Sequence, residues 1–108
     1  MSQQTPDEVL AYRALALQVA CRAVNRCPDR PSARARMAES IESIGRHVRA
    51  AKGFLGQDVR LVVLPEYFLT GYPLAESIPE WADKASLAPD GPEYEALGRI
   101  ASDNDVFL

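Results

Sequence analysis

Apolar positions along the 108-residue chain change period several times, and the changes predict the elements. From Arg13 to Cys21, Leu15, Leu17 and Val19 alternate with smaller or polar residues, the period of a half-buried strand. Asn25 to Pro31 breaks this pattern with prolines and an aspartate, which predicts a loop. Ser32 then suits the start of a helix running to about Leu55. Its apolar residues Met37, Ile41, Ile44, Val48, Ala51 and Leu55 advance in alternating steps of four and three, which holds them on one helix face. Gly56 suits the C-cap. Val59 to Leu64 is a near-continuous apolar run, as expected of a strand covered on both faces.

Residues 74–89, with Trp81 and two prolines, predict an irregular connection. Gly91-Pro92-Glu93 opens a second helix, since proline suits the first helical position and Glu93 and Glu95 suit its positive end. Tyr94, Leu97, Ile100 and Ala101 form its apolar face. Asp103-Asn104-Asp105 ends it, and Val106-Phe107-Leu108 begins a third strand. The order strand, helix, strand, helix, strand predicts an α/β fold with neighbouring parallel strands. A chain that stops inside a core strand leaves unpaired backbone and bare apolar surface. The expectation is therefore that residues 1–108 are the N-terminal part of one longer domain, the rest of which is absent from this chain.

Charge adds little to this picture. The net charge is −3, with ten basic and six acidic residues over 1–60 and two and nine over 61–108. No block of five like charges occurs, and the arginines from Arg22 to Arg36 are scattered, so no nucleic-acid partner is expected. Met1 to Glu8 is polar and carries no leader pattern, and no apolar run approaches membrane-spanning length. A cytoplasmic protein without a membrane partner is expected. Cys21 and Cys27 fit no common zinc spacing, and His47 is the one histidine, so neither a metal nor a cofactor is expected.

The candidate chemistry lies in Leu61-Val-Val-Leu-Pro-Glu-Tyr-Phe-Leu-Thr-Gly-Tyr-Pro73. A buried strand ends at Pro65, which removes a backbone donor and holds Leu64 extended, and one carboxylate, Glu66, emerges there. Functional groups of open α/β sheets gather at the carboxyl ends of strands. Apolar neighbours disfavour a charged carboxylate and so suit it to accept a proton. A structural role, capping a loop amide or pairing with an arginine, explains one such carboxylate equally well.

Leu61-Val-Val-Leu-Pro-Glu66, followed by Leu-Thr-Gly-Tyr-Pro73, resembles the first catalytic motif of the carbon–nitrogen hydrolase (nitrilase) superfamily. The Ala14-Leu-Ala-Leu-Gln18 strand, the long helix and the segment from Asp90-Gly-Pro-Glu93 to Ala101 follow the family's order, so the resemblance spans about Arg13 to Leu108. It implies an αββα sandwich and a Glu–Lys–Cys triad that opens amide, carbamoyl or nitrile bonds through a thioester. It implies that Glu66 is the general base, that Tyr67 lines the substrate pocket, and that the protein is a homo-oligomer acting on a small amide or nitrile. No residue here matches the family's lysine or cysteine. Lys84 falls in the irregular connection, Lys52 is expected to be solvated on the long helix, and Cys21 and Cys27 precede the motif. His47 is expected at the surface. This chain alone is therefore expected to be inactive. Two other readings fit the same residues: a non-catalytic truncated relative acting as a binding or scaffold module, and the glutaminase domain of an ammonia-using synthetase.

Overall fold

A computed structural model describes residues 10–108; the polar stretch from Met1 to Glu8 lies outside them. The elements in chain order are β1 (Arg13–Ala16), α1 (Arg30–Leu55), β2 (Val59–Val63), α2 (Ile78–Ala85) and α3 (Pro92–Asn104). β1 and β2 pair in parallel through the α1 crossover, and Leu61 forms one further parallel bridge with Phe107. The α/β class expected from the sequence is thus present, with the third strand reduced to that bridge. Phe107 N–H donates to Arg60 O at 2.7 Å, and Val62 N–H to Phe107 O at 2.8 Å.

β1 is shorter than the expected Arg13 to Cys21. One further ladder bond follows it, from Leu17 N–H to Val63 O at 2.9 Å. Beyond that, β2 turns away at Pro65, so the first strand has no neighbour to pair with. Leu17 and Val19 nevertheless keep packing on the core below.

The cap of α1 lies three residues before the expected one. Asp29, not Ser32, is the N-cap: its carboxylate accepts from Ser32 N–H at 2.9 Å, and Ser32 Oγ accepts from Asp29 N–H at 3.3 Å. Ser32 completes this capping box from inside the helix. The expected stripe is buried from Met37 through Val48. It then continues through Lys52, while Leu55 is exposed. Lys52 is therefore not solvated as expected. Only 4% of it is exposed, and its Nζ donates to Asp105 O at 2.9 Å, beyond the last turn of α3. An aliphatic stem in the stripe with its ammonium at a helix C-terminus satisfies both ends of the side chain.

The connection over 74–89, expected to be irregular, contains α2. Ser77 and Glu80 form a second reciprocal capping box, with Pro79 in the first turn. α3 starts as expected, with Gly91 as N-cap, and ends at Asp105 in the left-handed region.

Two apolar clusters hold these elements. Val24, Met37, Ile41 and Leu69 centre one, beneath the turn after β2; Ile44, Val48, Val59 and Val62 centre the other, beneath the sheet. Phe68 and Ile100 pack against both. Arg34 ties α1 to the start of α3 through a 2.9 Å ion pair with the largely buried Glu93. β2 is not covered on both faces as its apolar run suggests. Val59 and Val62 are buried against α1, but Val63 is 52% and Phe107 77% exposed.

Candidate active site

Glu66 sits three residues beyond Val63, the last paired residue of β2, just after Pro65. The next five residues form a tight turn. Pro65 O accepts from Phe68 N–H at 3.2 Å, and Tyr67 O from Gly71 N–H at 2.9 Å. Tyr67 has φ 58°, a left-handed conformation that a bulky residue adopts only when its surroundings impose it. Those surroundings include the Cys21 thiol, which donates to Tyr67 O at 3.4 Å.

The segment after β1 docks along this turn. Val24 N–H donates to Thr70 O at 3.0 Å, and Asn25 Nδ2 to Tyr72 O at 3.0 Å. Gly71 has φ 72°, and a Cβ there would lie 2.7 Å from that of Ala23. Glycine is required at Gly71 both for its backbone conformation and for this approach.

A half-buried polar group closes the far side. Glu76 Oε1 accepts from Asn25 Nδ2 at 3.0 Å, and its Oε2 from the N–H groups of Leu74 and Ala75 at 3.0 and 3.2 Å. The Leu74 amide above all, with the Glu76 N–H, Asn25 and the Ala75 amide, pulls the Glu76 carboxyl down from 4.5 to about 2. Lys84 Nζ lies 3.9 Å from Glu76 and donates to Asn25 O and Cys27 O at 2.8 and 3.1 Å. Lys84 thus lies on α2 and is committed to this loop.

Glu66 itself is exposed, on the rim of a groove of about 680 Å³ whose walls include Val63, Leu64, Tyr67, Tyr94 and Leu97. The apolar enclosure expected from the sequence is therefore one-sided. Among the described residues its carboxylate has neither a hydrogen-bond nor an ion-pair partner, so it neither caps an amide nor pairs with an arginine there. Tyr67 lines the same groove, its ring centroid 5.8 Å from that of Tyr72.

The structure brings Glu66 and Tyr67 to one groove and sets Cys21 against the Tyr67 carbonyl. Neither Cys27, which is buried, nor Lys52 or Lys84 lines it. His47 is exposed on α1, as expected, and also lies outside it. No group of three or more metal-ligating side chains occurs among the described residues, and no helix among them is long and apolar enough to cross a membrane. Asn25 and Glu76 carry no signal in the sequence that marks them, and Lys84, no match for the family's lysine, serves this loop instead.

A βαβ unit with an unpaired carboxylate at the carboxyl end of its second strand defines an α/β protein with a strand-end site. Residues 13–108 match the sequence model of the carbon–nitrogen hydrolases. The chain belongs to that family. Comparisons with curated proteins and with solved structures gave no match.

Proposed function

We propose that Glu66 is the general base of a hydrolase that opens a non-peptide carbon–nitrogen bond in an amide, carbamoyl or nitrile group. The observation that carries this reading is the free Glu66 carboxylate at the end of β2, facing an apolar groove. Family membership supplies the reaction class.

For an amide, a cysteine thiol gives its proton to Glu66 as its sulfur attacks the carbonyl carbon. A lysine ammonium stabilises the developing oxyanion. Glu66 returns the proton to the departing nitrogen, the C–N bond breaks, and a thioester remains. Glu66 then takes a proton from water, which attacks the thioester and releases the acid and the thiol. Tyr67, on the groove wall, contacts the substrate.

The lysine and the nucleophilic cysteine come from chain outside residues 1–108. Lys84 is engaged with two carbonyls and Glu76. Cys21 directs its thiol to a backbone carbonyl instead of a base. The bare apolar face of the sheet supports a longer domain that would cover it.

The test uses the complete protein. Ammonia release is measured on simple amides, carbamoyl compounds and nitriles, with intact-mass detection of an acyl adduct. An adduct on a cysteine other than Cys21 or Cys27 is expected, and Cys21→Ser should retain turnover. Loss of turnover in folded Cys21→Ser would move the nucleophile to Cys21. No ammonia from any of the three classes would favour the non-catalytic reading, to which the lack of a cysteine or lysine among the described residues lining the Glu66 groove would then belong.

A further inference from the structure

Behind the turn that carries Tyr67 lies a charged pair that the proposed reaction does not use. The side chains of Glu76 and Lys84 are only 15% and 12% exposed, and their charged ends are 3.9 Å apart. Withdrawing two charges from water is costly unless hydrogen bonds engage their remaining donors and acceptors. Here both engage Asn25. Glu76 Oε1 accepts from Asn25 Nδ2 at 3.0 Å, and Lys84 Nζ donates to Asn25 O at 2.8 Å. A carboxylate thus holds the side chain of Asn25, and an ammonium holds its backbone.

The same Asn25 amide nitrogen also donates to Tyr72 O at 3.0 Å. Turned over, the amide would set its oxygen against two acceptors, so its neighbours fix its orientation. Tyr72 in turn meets Tyr67. Their ring centroids are 5.8 Å apart and their planes inclined by 58°, a geometry in which aromatic rings attract. Tyr67 and Tyr72 are 53% and 58% exposed, so core packing fixes neither ring. The left-handed backbone of Tyr67 likewise persists only where its surroundings over-determine it. Asn25 does not line the groove itself, so any effect it has there passes through Tyr72.

We propose that Asn25 is a positioning residue for the Glu66 groove: held by Glu76 and Lys84, it fixes Tyr72, whose ring sets the orientation of Tyr67 on the groove wall. This rests on the reading of Tyr67 as a substrate contact.

Variants of the complete protein test it. Asn25→Asp keeps the shape of the side chain without its donors, and Asn25→Ala removes them without adding charge. The two are paired so that either one, if folded, carries the test; failure of both to fold would assign Asn25 to the fold alone and overturn the proposal. Tyr72→Leu removes an exposed ring and leaves its carbonyl, so its fold should hold. Each folded single variant should raise KM by about three- to ten-fold, the scale of an aromatic contact, with kcat within about two-fold. Combining an Asn25 variant with Tyr72→Leu should cost no more than the larger single effect, because both act on one contact. A second readout needs no turnover. In protein carrying 3-fluorotyrosine, the fluorine resonance of Tyr67, assigned by its loss in Tyr67→Phe, should shift in every single variant. An unmoved resonance or an unmoved KM in a folded Asn25 variant would overturn the proposal, and so would effects that add in the double variant. If no form releases ammonia and the resonance still moves, the hydrolase reading fails and the hold of Asn25 on Tyr67 stands.

Discussion

Gly71 closes the turn that follows Glu66, its N–H donating to Tyr67 O. Its φ of 72° is one that other residues adopt at a cost of about 1–2 kcal/mol. An alanine Cβ would also meet Ala23 at 2.7 Å. Gly71→Ala should therefore destabilise the protein by roughly 1–3 kcal/mol in denaturant unfolding, and lower turnover beyond what stability explains; unchanged stability would show that the turn can relax. At this scale the sequence was most legible where the site is contiguous. Glu66, Tyr67 and Gly71 stand within six residues, and the strand ending at Pro65 marks them. The Cys21–Tyr67 contact spans 46 positions, and the Lys52–Asp105 contact 53. Such pairings depend on how elements dock, which local spacing does not encode.

Between elements, Glu76 joins the segment after β1 to the turn that precedes α2. Its folded value of about 2 lies below its usual 4.5. Ionised Glu76 therefore contributes stability that is complete above about pH 4.5 and is lost as pH falls towards about 2. Unfolding free energy measured across that window should fall more steeply with acid in the natural protein than in Glu76→Gln; equal slopes would contradict the assignment. Helix α1 was legible because its period is long and regular. Its start was misplaced since Asp29 and Ser32 both suit a cap, and the structure uses them as a pair. α2 was missed although Ser77-Ile-Pro-Glu80 is a capping-box pattern. With eight residues and an exposed Ile78 it has too few apolar repeats to announce a helix. β1 was overextended because Leu17 and Val19 alternate correctly, while pairing is limited by where β2 turns away.

Across the whole molecule, the sheet buries one face and leaves the other bare. Leu10, Tyr12, Val63 and Phe107 are each at least half exposed, and a groove of about 750 Å³ runs between Leu10, Tyr12, Leu61 and Phe107. An apolar surface of this kind drives association. The isolated 108-residue chain should self-associate with rising concentration in light scattering and bind a hydrophobic dye, whereas a monodisperse, dye-silent monomer would show that the face needs no cover. The apolar run of β2 made the strand legible but could not say which face is covered, because that depends on elements packed from elsewhere. Val63 on that face also lines the groove that Glu66 borders. The most direct measurement is turnover by the complete protein carrying Glu66→Gln, taken alongside its thermal unfolding. Glu66 is exposed and unpaired among the described residues, so the melting temperature should not move. Turnover should fall by about 10²–10⁴-fold, the range general-base catalysis supplies. Turnover within a few-fold of the natural protein would contradict the account.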